Sequence, residues 1–228
     1  MHDGARHTRN WQIYCTVIKT KGDEMAYFPF FFELSVKKIL IIGGGKIALE
    51  KIERLLEFGP DIKVIAPEIL PQIKENKNIK IEKRNYAPED FFGADFVIAA
   101  TDNEEVNRSV SNLCREKKIP INVVDDKDKC DFIFPSVIRR GDFVVGVTSS
   151  GASPQVAVTL RKEFEKLIPD NIEEILDYLQ SIRGEIKEKY SDASKRHRIF
   201  KAAAEEALAK NGPLTDEELG AIVESINL

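Results

Sequence analysis

The chain has 228 residues, of which 43% are hydrophobic and 32% are charged, so it can build a core and is not a disordered protein. Its formal net charge of −4 excludes the basic excess expected of a nucleic-acid-binding protein. No apolar run approaches the roughly 20 residues that a membrane span requires. The cysteines Cys15, Cys114 and Cys130 form no C-x-x-C pair, so neither a zinc site nor a disulfide framework is indicated, and we expect a cytoplasmic protein.

The N-terminal part of the chain gives little structural information before residue 37. Residues 1–24 show no clear periodicity, and we expect either a flexible extension or a misplaced start codon, with Met25 as the natural start. The segment 37–42 starts with two lysines and continues as an apolar run over 39–42. It predicts a buried strand, which runs directly into a glycine-rich turn and an amphipathic helix. This order is that of a dinucleotide-binding βαβ unit.

The glycine-rich turn is the first candidate site. Gly43 would make the tight turn, Gly45 would let the backbone approach a pyrophosphate, and Ala48 completes a G-x-G-x-x-A pattern. The free N–H groups at the start of the helix would bind the phosphates. The alternative is a simple strand–helix turn, for which one glycine would suffice. The predicted cofactor contacts here are Gly43, Gly44, Gly45, Lys46 and Ile47.

Strand-like and helical segments alternate through the middle of the chain. Further strands are predicted over 62–66, 79–84, 96–100 and 120–124. A helix is predicted over 104–118, a hairpin over 132–148, and helices thereafter. We expect an α/β fold with a Rossmann-like, doubly wound parallel sheet, followed by a small β segment and a C-terminal helical domain. The corresponding ranges are 25–131, 132–150 and 151–228.

Ligands of parallel sheets bind at the carboxyl ends of the strands, and polar residues are predicted there. Thr101 and Asp102 follow the fourth strand, and Asn122 belongs to the fifth. Glu68 follows Pro67 after the second strand, where it either binds ribose hydroxyls or is a solvated loop acid. No arginine follows that strand to hold a 2′-phosphate, which favours NAD over NADP.

Asp125 and Asp126 follow the fifth predicted strand, at the end where a nicotinamide ring would lie. Partial burial of Asp125 would raise the pKa of its carboxyl group and suit it to proton transfer. A turn or capping role is the alternative for this residue. Spacing alone places Asp126 equally well.

The serine-rich segment 149–154 has two compatible interpretations. Ser153 is a good N-cap, with Pro154 at the first helical position. Serines and glycine at a helix N-terminus also make an anion site that suits carboxylates. The candidate substrate contacts are Ser149, Ser150, Gly151 and Ser153.

A basic run from Lys195 to Arg198 precedes the end of the chain. We interpret it as a solvated helix face, and the alternative is a basic wall near an acidic ligand. His197 stands alone within this run, so no metal site is predicted.

Five motifs in this order resemble those of one family. They are the glycine loop, Ala99-Ala100-Thr101-Asp102, Asn122-Val123-Val124-Asp125-Asp126, Phe132-Ile133-Phe134-Pro135-Ser136 and Ser150-Gly151-Ala152-Ser153-Pro154. From about Met25 onward, the chain is similar to precorrin-2 dehydrogenase, which also forms the N-terminal part of siroheme synthase. The opening 27–31 fits this family as well, whereas the C-terminal helices match only by pattern and the first 24 residues do not match.

The resemblance implies that a homodimer oxidises precorrin-2 to sirohydrochlorin, with NAD accepting the hydride. It also implies that the small β segment over 132–150 serves dimerisation. It assigns general acid/base catalysis to Asp125 and the tetrapyrrole site to 149–153. It places backbone contacts with NAD on the glycine loop, on the Pro67-Glu68 turn, and near Thr101 and Asn122.

Two alternatives stay open. The enzyme could be bifunctional and also insert Fe²⁺ into sirohydrochlorin, an activity that no His/Cys cluster marks in this family. The chain could also be a non-catalytic NAD-sensing Rossmann module, although such a module would have no reason to carry the serine loop and the helical tail. A full siroheme synthase is not expected, because its methyltransferase domain would need further residues after Leu228.

Overall fold

A computed structural model describes residues 27–227, and the expected extension over 1–24 lies outside them. The parallel sheet contains β1 (Lys38–Ile42), β2 (Asp61–Ile65), β3 (Ile79–Glu82), β4 (Phe96–Ala99) and β5 (Ile121–Val123). Their spatial order is β3-β2-β1-β4-β5, so the direction of strand progression reverses between β1 and β4. Ligands of such sheets bind in the crevice at this reversal.

Three helices accompany these strands. They are α1 (Lys46–Leu56) between β1 and β2, the short α2 (Pro71–Lys74) before β3, and α3 (Glu104–Lys117) between β4 and β5. Alternate residues of β1 point to opposite faces of the sheet, which is why an uninterrupted apolar run is needed there. One face buries Ile39, Ile41, Ala48 and Ile52 together, and the other buries Leu40, Ile42, Val110 and Cys114. Each fully buried isoleucine contributes about 1.5–3 kcal/mol.

The second part of the chain starts with an antiparallel pair, β6 (Ser136–Arg140) and β7 (Phe143–Val147). The helices that follow are α4 (Pro154–Glu165), α5 (Ile172–Lys189), α6 (Ala193–Lys210) and α7 (Asp216–Asn227). Helix α4 packs against β6 and β7, while α5, α6 and α7 pack together. Their shared core includes Ile175, Ile199 and Ala203.

The predicted fold class is confirmed, and the five predicted strands of the parallel sheet occur within two residues of their expected ends. One predicted strand segment is wrong: residues 132–135 form a loop, and β6 begins only at Ser136. Phe132 and Phe134 both pack on the α1 side of the sheet instead of alternating between two faces. The proposed domain boundaries stay a prediction.

An ion-pair network closes the β3 edge of the sheet. Asp90, in the 3₁₀ turn Pro88–Phe91, accepts hydrogen bonds from the Arg84 guanidinium at 2.7 Å, the Ala87 N–H at 2.7 Å and the Lys63 ammonium at 3.2 Å. Its side chain is only 6% exposed. The Arg84 bond, with smaller contributions from Ala87 and Lys63, holds the pKa of Asp90 well below its usual value.

Candidate functional site

Close backbone packing shapes the glycine turn after β1. Gly43 has a φ of +123°, and its N–H donates to the Ile65 carbonyl at 3.1 Å. A Cβ on Gly43 would lie 2.1 Å from the Ala100 carbonyl oxygen, and a Cβ on Gly44 would lie 2.4 Å from the Glu68 carbonyl oxygen. The fold therefore requires the first two glycines whether or not a ligand binds.

Gly45 differs from its two neighbours, because a Cβ at this position would meet no atom of the described residues within 4 Å. It is the N-cap of α1, and no side chain within residues 27–227 hydrogen-bonds to this end of the helix. Exposed Lys46 and Ile47 follow it. The first turn of α1 thus lies beside open space without a side-chain acceptor, which suits the phosphates of a dinucleotide. The residues present fit the predicted cofactor.

The loop after β2 lies directly against this turn. The Leu70 N–H donates to the Gly44 carbonyl at 2.9 Å, and the side chains of Pro67 and Glu68 are exposed. The predicted ribose-binding segment is therefore a neighbour of the predicted phosphate-binding turn. The contact between Glu68 and a ribose remains a prediction.

Thr101 and the start of α3 form a compact polar unit at the end of β4. The Thr101 hydroxyl donates to Asn107 Oδ1 at 2.7 Å, and Asn107 Nδ2 donates to the Thr101 carbonyl at 2.9 Å. Asn103 caps α3 by accepting from the Glu105 and Val106 N–H groups. Asp102 between them is exposed. Sequence reasoning missed the buried Asn107, whose only signal was a polar residue one turn after the N-cap.

Hydrogen bonds hold the loop after β5 to that strand. Asn122 is buried, and its Nδ2 donates to the Phe132 carbonyl at 2.9 Å. The Cys130 Sγ accepts from the Val123 N–H at 3.2 Å and lies 3.2 Å from the Asp126 carbonyl oxygen. Burial raises the pKa of the Cys130 thiol. The Asn122 side chain therefore positions the loop that carries the two aspartates, and its predicted contact with NAD is untested.

The structure separates Asp125 from Asp126, which spacing could not do. Asp126 forms an ion pair with Lys129, whereas no cation of the described residues lies within ion-pair distance of Asp125. Asp125 has a φ of +59°, a left-handed conformation that is uncommon for a non-glycine residue. It is exposed, so the partial burial expected for it is wrong for this chain.

A cleft of about 310 Å³ opens between the end of β4 and the loop after β5. One wall is the Thr101–Asn107 unit. The other is the part of the loop after β5 that carries Asp125 and Asp126, which we call the aspartate loop. The lining residues are Thr101, Asp102, Glu104, Asn107, Val123, Val124, Asp125, Asp126 and Lys129. This cleft therefore brings Thr101 and Asp102 together with the two aspartates of the loop after β5, whereas the predicted Asn122 does not line it.

The serine loop is internally bonded. Ser149 Oγ accepts from the Ser153 N–H at 2.9 Å and donates to the Ser153 carbonyl at 2.8 Å. Ser153 Oγ accepts from the Val156 N–H at 3.4 Å, so the predicted N-cap with Pro154 at the first helical position is confirmed. Ser150 and Gly151 have φ values of +54° and +84°. Binding of an anion at this loop remains a prediction.

The basic run has local structural contacts. Arg196 donates to the carbonyls of Tyr190 at 2.8 Å and Ser191 at 2.6 Å, and Lys195 Nζ lies 4.6 Å from the centroid of the Tyr190 ring. These bonds favour the helix-face interpretation over a ligand-binding wall. Residues 27–227 contain no group of three or more His, Cys, Asp or Glu side chains that could hold a metal ion. In the same part of the chain, no helix is both long and apolar enough to cross a membrane.

Sequence comparisons relate the chain to known proteins. Residues 30–136 match a family described as putative NAD(P)-binding. The chain is 37% identical over 184 residues to a siroheme synthase of Tolumonas auensis, covering 78% of this chain and 38% of that protein. It is 35% identical over 179 residues to siroheme synthase 3 of Aeromonas hydrophila subsp. hydrophila, and the match covers 77% of this chain and 38% of that protein. The chain therefore spans well under half the length of these curated relatives.

The fold also resembles a solved structure. The structure described as SirC, precorrin-2 dehydrogenase, superposes with a TM-score of 0.66 at 20% sequence identity. The alignment covers 88% of this chain and 99% of that one. The shared architecture therefore extends beyond the parallel sheet to the antiparallel pair and the helices after it.

Proposed function

This chain belongs to the family of precorrin-2 dehydrogenase and the N-terminal part of siroheme synthase, and we propose on that basis that it oxidises precorrin-2 to sirohydrochlorin with NAD. The placement of Asp125 carries the proposal. This exposed carboxylate, unpaired among the described residues, lies at a cleft on the same sheet edge as the open start of α1. A redox cofactor and a proton acceptor would then act on one bound molecule.

The cofactor would be held mainly by backbone. The N–H groups at Gly45, Lys46 and Ile47 would bind the two phosphates, a role supported by the lack of a side-chain cap from any described residue at this end of α1. The Glu68 carboxylate would accept hydrogen bonds from ribose hydroxyls and repel a 2′-phosphate, which supports NAD over NADP. When bound, NAD supplies the hydride acceptor.

Asp125 would take a ring proton as the hydride leaves the substrate. Its carboxylate is exposed at the cleft, where it can reach a bound ligand. Asp126 cannot easily replace it, because the Lys129 ion pair occupies that carboxylate. With NAD bound as the hydride acceptor, Asp125 would hold the proton that the substrate loses in the same oxidation and would then release it to solvent.

The serine loop would bind carboxylates of the tetrapyrrole. The start of α4 contributes helix N–H groups, and the Ser150 hydroxyl has no hydrogen bond to another described residue. Lys127 packs against Gly151 in this loop and brings an ammonium group close to it. A substrate rich in carboxylates suits this combination of donors.

The proposal includes a homodimer. Helix α4 packs on β6 and β7 with one side, and its other side exposes apolar residues at successive turns. We call this set the α4 stripe: Val156, Leu160 and Phe164 on the helix, with Leu167 just after its end. A continuous apolar row next to an antiparallel pair supports burial against a second copy of the chain.

Insertion of Fe²⁺ into sirohydrochlorin is the alternative second activity. Anaerobic mixing of the protein, sirohydrochlorin and Fe²⁺ tests it against a no-protein control. Equal rates of iron insertion with and without the protein would exclude this second activity.

The proposed location is the cytoplasm, because NAD and the free thiols of Cys114 and Cys130 fit a reducing compartment.

The decisive experiment is anaerobic turnover of precorrin-2 with NAD and, separately, NADP, followed by the absorbance of sirohydrochlorin and of the reduced cofactor. We expect Asp125→Asn to lower kcat by about 10²–10⁴-fold while leaving the Kd for NAD unchanged. Asp177→Asn, an exposed substitution on α5, is the matched control and should retain the wild-type rate. Full activity of Asp125→Asn would refute the catalytic role. A wild type that binds NAD and never oxidises precorrin-2 would favour the sensing module.

A further inference from the structure

Lys51 lies on α1 at the border of its apolar face. It is one turn from both Ala48 and Leu55, which are buried against the sheet. Its Nζ lies 4.3 Å from the centroid of the Phe134 ring. Phe134 belongs to the loop after β5, so this ammonium group faces the loop that carries Asp125.

The charges around Lys51 are unbalanced at short range. Burial lowers the pKa of the Lys51 ammonium group, and Arg54 on the same helix adds to this effect. Glu50, Asp125 and Cys130 act in the opposite direction, the last two from the loop after β5. Among the described residues, however, no carboxylate lies within ion-pair distance of Nζ.

A half-buried ammonium group without a close anion is costly, and an anionic ligand would compensate its charge. The Phe134 ring stabilises the cation from one side and accepts no conventional hydrogen bond, which leaves the N–H donors available. We propose that Lys51 binds a carboxylate of the tetrapyrrole next to Asp125 and so determines specificity for an acidic substrate. This inference rests on the proposed function and adds a residue to its site.

The acidity of the neighbouring loop explains why a cation is needed there. Asp125, Asp126 and Asp128 follow one another closely, and only Asp126 has an ion-pair partner within the described residues. A substrate carboxylate approaching Asp125 would be repelled, and at a few ångströms this repulsion is significant. Lys51 reaches the loop from the α1 side and would offset that repulsion without neutralising Asp125 through direct pairing.

The test compares Lys51→Met with Lys51→Arg in the full chain. We expect Lys51→Met to raise the KM for precorrin-2 by about 10- to 100-fold, the range for loss of a charge-assisted hydrogen bond. The KM for NAD should change less than about twofold, and Lys51→Arg should recover most of the affinity. Lys117→Met, an exposed change at the far end of α3, should behave as the wild type.

Equilibrium titration with sirohydrochlorin, followed by absorbance, gives a readout without turnover. Equal Kd values for wild type and Lys51→Met would overturn the inference. The inference would also be overturned if Lys51→Met weakened the binding of sirohydrochlorin and of NAD equally and Lys51→Arg did not restore it. That pattern would indicate a packing role alone. A wild type that binds sirohydrochlorin through Lys51 and yet never oxidises precorrin-2 would refute the proposed function while upholding the role of Lys51.

Discussion

The side chain of Lys127 packs against Gly151, with its Cδ atom 3.3 Å from the position that a Cβ on Gly151 would occupy. Lys127 begins the 3₁₀ turn Lys127–Lys129 just after the aspartate loop, and Gly151 lies in the serine loop before α4. The contact joins the segment of the candidate base to the segment proposed to bind substrate. A substitution at Gly151 should therefore shift Lys127, and a substitution at Lys127 should alter the packing around Gly151.

We expect Gly151→Ala to lower the free energy of unfolding by about 1–2 kcal/mol, because φ is +84° and the added methyl group would crowd Lys127. The KM for precorrin-2 should rise as Lys127 shifts. Gly184→Ala is the control: this glycine lies within α5 beside open space, so alanine should stabilise the chain by up to about 1 kcal/mol. Urea unfolding measures both, and a Gly151→Ala variant as stable as the wild type would contradict the packing argument.

The glycines of the first turn should respond differently to the same change. Gly43→Ala should prevent folding of the sheet, because its Cβ would lie 2.1 Å from the Ala100 carbonyl oxygen. Gly45→Ala should fold normally, because its Cβ meets no protein atom within 4 Å, but should bind NAD more weakly. Circular dichroism and calorimetric titration with NAD check these outcomes. Wild-type NAD affinity in folded Gly45→Ala would remove the third glycine from the cofactor site.

Asp90→Asn should lower the free energy of unfolding at pH 7 by about 1–3 kcal/mol, since it removes the charged acceptor of the Arg84 and Lys63 bonds. The pKa of Asp90 is depressed in the folded chain, so its stabilisation is present above an unfolded pKa of about 3.9 and disappears as the pH falls further. The difference in the free energy of unfolding between wild type and Asp90→Asn should therefore be smaller at pH 3 than at pH 7.

Asp61→Asn is the control for this experiment. Asp61 is 42% exposed and, among the residues that the structure describes, pairs only with Lys80, so its loss should cost less than about 1 kcal/mol. Unfolding in urea at several pH values measures both variants. A difference for Asp90→Asn that stays constant down to pH 3 would show that its charge is not the source of the stabilisation.

The α4 stripe predicts the effect of charge on assembly. We expect the double change Leu160→Glu and Phe164→Glu to give a folded monomer, because two carboxylates would be buried without partners in the proposed dimer. Leu208→Glu, on an exposed position of α6, is the control and should leave the mass unchanged. Light scattering after size exclusion gives the mass. A double variant with the wild-type dimer mass would place the interface elsewhere, and a monomeric wild type would refute the dimer itself.

Local signals in the sequence predicted the parallel sheet well. The run 96–100 is apolar throughout, as a strand buried on both faces must be, and the glycines mark where β1 has to turn. Phe132 and Phe134 were harder to interpret, because alternating aromatic residues also predict a strand. Both rings instead pack on one side of the sheet, beside α1, and this depends on the path of the whole loop.

The candidate site was predicted in outline and missed in its supporting contacts. Asn107 bonds to Thr101 only when the start of α3 folds back toward β4. The choice between the two aspartates depends on where Lys129 lies. In the sequence, Lys51 looks like any other charged residue of an amphipathic helix. Its contact with Phe134 is between residues far apart in sequence, so no local pattern predicts it. Contacts of this kind leave no local pattern.

The unequal surroundings of the three glycines also bear on how relatives should diverge. Gly43 and Gly44 are held by the backbones of neighbouring loops, so any descendant that keeps this fold has to keep them. Gly45 has no such neighbour among the described residues, so under the proposed function only a bound ligand would constrain it. A relative that no longer binds a nucleotide would therefore keep Gly43 and Gly44 and could carry another residue at position 45. That single position, more than the motif as a whole, would record whether the cofactor is still in use.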